Sequence, residues 1–312
     1  MRTVVVDRMG ATLRHEGGAL CIRSEDGVIQ RVPLSQMDRL IVENETLLCT
    51  HLIRRLAGEG IPLVVSPGRG NRSAALLAPV AGDAFRRLRQ AKAWLDPVLR
   101  LGFARIVVRQ RVAGQIRLLR QWAGQSPASR YPLLRAVRAL QRLRSRLDAA
   151  TSVTSLRGLE GVAGRIYFGA MRHMLAPSLA FPGRRRRPPT DPVNAVLSLG
   201  FTLLHARALE AVHRTGLDAC LGALHEPSHG RASLACDLME GERWRIERLV
   251  VALFRGRTLE SHHFGRTGDA CLLLKAGRGP FFAHLEPELR HAGQRVRRRI
   301  ARLLRQLPEV ES

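Results

Sequence analysis

The sequence predicts an α+β fold, a small β-rich N-terminal domain followed by a larger all-α domain. Two observations carry this. Short β-branched runs separated by glycine turns fill the first 75 residues, and an apolar spacing of three and four takes over from about residue 83.

The first part reads as TVVV (3–6), ATLRH (11–15), ALCIR (19–23), VIQRV (28–32), RLIV (39–42) and IPLVV (61–65). Gly17-Gly18 and Asp26-Gly27 are hairpin turn signals, since such pairs reach positive φ at little cost, so the pieces are expected to form one small antiparallel sheet. HLIRRLAGEG predicts a short helix ending at a glycine, and SPGRGNRS (66–73) a closing loop.

In the second part, FRRLRQAKAWL (85–95), LGFARIVVRQRVAGQIRLLRQW (101–122) and LLRAVRALQRLRSRL (133–147) place apolar residues on one face and arginines on the other. FPGRRRRPP follows, where four arginines between prolines cannot enter a core; 182–190 is expected to be an exposed basic loop. Asp191 then stands as an N-cap with Pro192 at the first helical position.

Composition narrows the partners. At 312 residues and 45% apolar content the chain can bury a core, which argues against disorder. Fifty-one Lys+Arg against 26 Asp+Glu give a formal charge of +25, a field that attracts polyanions, nucleic acid first among them. Lysine occurs only at 92 and 275, and the planar guanidinium fork of the remaining bases suits phosphate. Five cysteines in no C-x-x-C spacing argue against a disulfide framework or zinc ribbon. No apolar run in the sequence suggests a signal peptide or a membrane span, so a soluble, cytoplasmic protein with no membrane partner is expected.

Against this basic background, LHEPSHGRASLACDLMEGER (224–243) concentrates acids beside an imidazole. Asp237 and Glu240 are three apart, on one face of a helix expected to begin near Ser233. Two carboxylates held that close raise each other's pKa unless a cation lies between them. His225 precedes them across a turn-forming segment that can aim its ring at the acidic face. Glu160 shares a helix face with Leu156, Ala163 and Tyr167 and so is expected to look inward, where a carboxylate needs a cation or a partner. Read singly, each has a plainer role: His225 as a bonded structural histidine, Asp237 and Glu240 as a cap and a partner for Arg243, Glu160 as a buried acid bonded to Arg157 or Arg165.

Taken together, LRGLEGVAGRIYF, RPPTDPVNAVLSLGFTLLH and LGALHEPSHGRASLACDLMEGER, in this order, resemble the integrase and endonuclease shared by CRISPR systems, the larger, metal-dependent protein of the spacer-acquisition complex. The resemblance covers essentially the whole chain. It implies a β-rich domain over 1–78 that dimerises and an α-helical catalytic domain over 79–312 with one divalent-metal site. Glu160, His225 and Glu240 match the family's metal ligands, and Asp237 matches the acid beside the metal and belongs to the catalytic set. Asn194 and Ser198 match supporting positions, and Phe201 stands where many relatives have tyrosine. Arg184, Arg185, Arg186, Arg187 and Arg231 are the candidate DNA contacts.

Oxygen-rich coordination with one imidazole suits Mg²⁺ or Mn²⁺. The implied function is insertion of new spacers into a CRISPR array. The implied partners are spacer-precursor and repeat DNA, a second copy of the chain, and a dimer of a small ferredoxin-like CRISPR-associated protein, together a heterohexamer. A metal-dependent transposase or repair nuclease on the same scaffold is the nearest alternative. A non-catalytic DNA-binding scaffold, its acids serving only as salt-bridge partners, is the alternative of another class.

Overall fold

A computed structural model describes residues 2–65, 74–76 and 84–310, so the loop expected over SPGRGNRS lies outside the described residues. The chain divides into two compact units, residues 1–81 and 82–312.

The first unit runs β1 (Arg2–Val6), β2 (Ala11–Glu16), β3 (Ala19–Arg23), β4 (Ile29–Pro33), β5 (Met37–Val42), β6 (Thr46–Leu48), α1 (Thr50–Gly58), β7 (Leu63–Val65) and β8 (Ala74–Leu76). These strands form two four-stranded sheets, ordered β1-β5-β7-β8 and β4-β3-β2-β6, which corrects the expectation of one antiparallel sheet. The Gly17-Gly18 hairpin forms as expected, with both glycines at positive φ and Glu16 opposite Ala19. The difference lies in the strands that no tight turn joins. β5 and β7 are parallel because α1 supplies the crossover between them; β1 pairs parallel with β5, and β2 with β6. Alternate residues such as Val4 and Val6, Leu20 and Ile22, and Leu40 and Val42 pack with Leu52 and Leu56 of α1 into one core.

The second unit contains α2 (Ala84–Leu95), α3 (Pro97–Gln125), α4 (Arg130–Asp148), α5 (Val153–Met171), α6 (Pro192–His213), α7 (Ser233–Glu240), α8 (Arg243–Arg255), a hairpin of β9 (Phe264–Thr267) and β10 (Ala270–Leu273), and α9 (Lys275–Gln306). The hairpin departs from the all-α expectation. Its turn is Gly268-Asp269, with Gly268 at φ +56°, and two four-residue strands are too short for their alternation to stand out against helical flanks.

Helix α6 organises this unit. Asp191 caps it by accepting from the Asn194 N–H at 2.9 Å, and Pro192 opens it. It is the one helix among the described residues long and apolar enough to cross a membrane, and 67% of its most apolar 18-residue window is buried inside the protein. Apolar residues all round are what a central core helix needs. At Gly200 the side chain of Ile246 from α8 comes so close that a Cβ would lie 2.5 Å from it, so the glycine sets the α6–α8 approach beside Phe201.

Cys21, Cys49, Cys220, Cys236 and Cys271 are free thiols.

Candidate active site

Six segments of the second unit converge on a cavity of about 430 Å³, α3 among them through Arg111. α5 contributes Glu160, α7 Glu240, α8 Arg243, α6 Phe201, and the segment before α6 Arg184, Arg185 and Arg186. Arginines outnumber the two glutamates in its wall, so the cavity is an anion-attracting space with two carboxylates set into it.

Asp237 is the organising acid. Its buried carboxylate accepts from the backbone N–H groups of Ala223 (2.7 Å), Leu224 (3.0 Å) and His225 (3.1 Å), and from the His225 ring at 2.6 Å. An ionised carboxylate can only accept, so Nδ1 donates, and in the neutral ring Nε2 is the lone-pair nitrogen. Three turn amides that would otherwise be orphaned are thereby satisfied, and one imidazole is fixed in tautomer and direction. Burial works against protonation of His225, but the hydrogen bond and charge of Asp237, with Glu240 nearby, hold its pKa above the usual value. Gly222 permits the turn: a Cβ there would lie 2.7 Å from the His225 carbonyl and 2.8 Å from Ser233.

Glu240 ends α7 on the same face as Asp237. Its Oε1 accepts from Arg243 Nε at 2.8 Å, while its buried Oε2 has no hydrogen-bond partner among the described residues and lies 3.6 Å from Arg111 Nε. Burial raises the pKa of Glu240, but Arg243, Arg111 and His225 together bring it below the ordinary carboxylate value. Pairing with Arg243, the plainer role read from the sequence, is therefore present.

Glu160 is half-buried and faces the cavity rather than the core. Arg157 bonds Glu226 instead of Glu160, at 2.7 Å, and the Glu160 carboxylate has no partner among the described residues.

The basic segment is not the uniformly exposed loop expected. Arg184 turns inward, donating to Asn194 Oδ1 (2.8 Å) and Ser198 Oγ (3.1 Å), and its guanidinium lies over the Phe201 ring at 5.4 Å. Burial, with the charges of Arg186 and Arg243, pushes its pKa down to about 10. Fully buried Asn194 pins the segment, accepting also from the Arg185 N–H and donating to the Gly183 carbonyl and to Asp191. Arg185 and Arg186 are exposed at the cavity wall; Arg187 and Arg231 are exposed but not in that wall.

Arg111 escaped the sequence reading, and the part played by the Phe201 ring was not in it. Arg111 sits on the buried stripe of α3, over the Tyr167 ring, and donates to fully buried Glu247 at 2.6 Å. A charged residue four on from Val107 and one before Val112, inside an apolar stripe, was the available signal. Phe201 serves as a ring for two guanidiniums, with Arg243 at 4.5 Å on it as well as Arg184.

Among the described residues no three His, Cys, Asp or Glu side chains stand close enough to hold an ion between them. The donor set still suits a hard divalent cation: an orphaned carboxylate oxygen on Glu240, an unpartnered carboxylate on Glu160, and an imidazole whose other nitrogen is tied to a carboxylate, the usual orientation of a ligating histidine.

Fold and cavity together define a class, an α+β protein whose helical unit sets acids within an arginine-rich pocket, a surface that attracts anions. The sequence profile of the family described as CRISPR associated protein Cas1 matches residues 4–287. A CRISPR-associated endonuclease Cas1 of Thermodesulfovibrio yellowstonii is 31% identical over 285 residues, covering 90% of this chain and 89% of its own. Another, from Rhodospirillum rubrum, is 33% identical, covering 88% and 82%. The fold matches a CAS1 protein from Thermotoga maritima (TM-score 0.86, 23% identity, all of both chains) and a casposase bound to integration product (TM-score 0.84, 21% identity, 100% of this chain and 95% of that one). The chain belongs to the Cas1 family of CRISPR-associated proteins. It is an endonuclease of that family, and a divalent cation is what such chemistry calls for.

Proposed function

We propose that this protein inserts new spacers into a CRISPR array with one metal site per chain, in which Glu160, His225 and Glu240 hold Mg²⁺ or Mn²⁺ and Asp237 positions His225. The observation that carries this reading is the orphaned Oε2 of Glu240 at a cavity shared with the unpartnered carboxylate of Glu160. A bound cation would supply Lewis-acid stabilisation of the charge that builds on a phosphoryl oxygen. The chain's own residues do the rest. Asp237 holds the imidazole, Asn194 and Ser198 hold Arg184, and Arg184 to Arg187 with Arg231 attract and align the phosphates of spacer and repeat DNA. A DNA 3′-hydroxyl as nucleophile gives strand transfer, and water gives cleavage.

The assembly belongs to the same proposal. One chain has one candidate site among the described residues, and joining DNA at both ends of a repeat needs two. A homodimer formed through the 1–78 domain, two such dimers bridged by a dimer of the small ferredoxin-like protein, supplies them in the cytoplasm. One chain of a Cas6-RT-Cas1–Cas2 complex carries the fold of this chain over 36% of its length, with a TM-score of 0.79.

The test is half-site integration of a labelled duplex into a repeat-containing plasmid, with and without the small partner. Glu160→Ala, His225→Ala and Glu240→Ala are each expected to lose metal-dependent cleavage and integration while duplex affinity stays near that of the parent, because the basic surface supplies binding. Full activity of any of them in Mn²⁺ would remove that residue from the site.

A further inference from the structure

Two guanidiniums meet Glu240, and they are not alike. Arg111 is locked: its side chain is 4% exposed and is bonded to Glu247 behind it. Arg243 is 15% exposed and lines the cavity, with Glu240 as its carboxylate partner. It is also the first residue of α8, where the helix dipole disfavours a cation, so its charge gains nothing from the dipole of that helix. Its pairing is therefore with the pocket, at the carboxylate a divalent ion would need.

The same guanidinium already lies over Phe201, the ring that also carries Arg184. Arg184 is held by neutral acceptors, the Asn194 amide oxygen and the Ser198 hydroxyl, so its charge is oriented without being neutralised. Once Arg243 lost Glu240, two planar cations would share one ring in a partly enclosed space. A tetrahedral oxyanion is what such a pair binds best.

We propose that Arg243 is a displaceable counter-ion, which keeps the cation's place on Glu240 and, when a divalent ion displaces it, joins Arg184 on the Phe201 ring as the fork that takes a phosphate of the bound strand. This rests on Glu240 being a metal ligand. It makes Arg243 a competitor of the metal and a partner of the DNA. Metal loading and phosphate capture are then coupled, since each is disfavoured while Arg243 stays on Glu240.

The full chain, Arg243→Gln, Arg243→Lys and Glu240→Gln are titrated with Mn²⁺ by calorimetry, each variant first checked for an unchanged thermal melt. Arg243→Gln is expected to bind Mn²⁺ roughly tenfold tighter, the size of effect one adjacent charge exerts at a buried site. Arg243→Lys keeps the competing charge and is expected to stay near the parent. Unchanged or weaker Mn²⁺ binding by Arg243→Gln, with Glu240→Gln abolishing it, overturns the counter-ion role alone. Mn²⁺ binding indifferent to Glu240→Gln overturns the metal reading and this one with it. The phosphate role is read from the salt dependence of duplex binding. With saturating Mn²⁺ the slope of log affinity against log salt for Arg243→Gln should be shallower than the parent's by about one. In EDTA the two slopes should coincide. Equal slopes under both conditions overturn the phosphate role.

Discussion

Asp237 binds the backbone and the ring of His225 with one oxygen: Oδ1 accepts from the His225 N–H at 3.1 Å and from its Nδ1 at 2.6 Å, while Oδ2 takes the amides of Ala223 and Leu224. A single carboxylate thus folds the turn and sets the imidazole tautomer. Asp237→Asn would turn an amide donor against this ring of donors. It is expected to cost about 1–3 kcal/mol in urea unfolding, the penalty of a buried polar group left unpaired. Mn²⁺ affinity should fall about 10- to 100-fold, as when the partner of a ligating histidine is lost. An Asp237→Asn protein with parental Mn²⁺ affinity would show that the acid only closes the turn.

Arg111 is the counter-charge for Glu247 and lies beside Glu240, all three buried. Arg111→Ala should destabilise the helical unit by about 3–5 kcal/mol, because it strands a buried carboxylate. The double substitution Arg111→Met with Glu247→Gln should be less costly than Arg111→Ala alone, since no buried charge is then left without a partner. Urea midpoints for the two proteins check the order, and a milder single variant would mean that water or a rearranged arginine reaches Glu247.

Duplex binding should weaken steeply with salt and vary little with sequence, as expected when arginines release condensed counterions. Changing Arg184 to Arg187 together to alanine should lower both affinity and slope. The inward Arg184 contributes through the cavity and the exposed Arg185, Arg186 and Arg187 at its rim and beyond. Fluorescence anisotropy from low to high salt measures this, and an unchanged slope would mean the segment is only solvated.

The purified chain is expected to scatter light as a dimer, near twice 34.6 kDa. A monomer persisting at tens of micromolar, an order-of-magnitude concentration for a weak interface, would refute the dimer. Failure to co-elute with the small partner would leave the nuclease standing without the assembly.

Much of this was legible in the chain alone. The change of periodicity near residue 83, the Gly17-Gly18 hairpin, the Asp191-Pro192 start of α6 and the shared face of Asp237 and Glu240 are local matters, set by φ preferences, caps and a 3.6-residue turn. The motifs around Glu160, His225 and Glu240 singled out a candidate site, because acids gathered in a basic chain call for a cation or an arginine partner. Only the tertiary structure decided the rest. Strand direction in the first unit depends on which strands meet across α1, which no turn signal specifies. The inward turn of Arg184 depends on Asn194 and Ser198 one helical turn apart on α6, and the place of Arg243 on Glu240 depends on α7 and α8 meeting at Gly241. An arginine's charge can be read from its letter. Whether it faces solvent, a carboxylate or a ring is settled by distances across the fold, and at Arg111, Arg184 and Arg243 those distances separate a solvated face from a site.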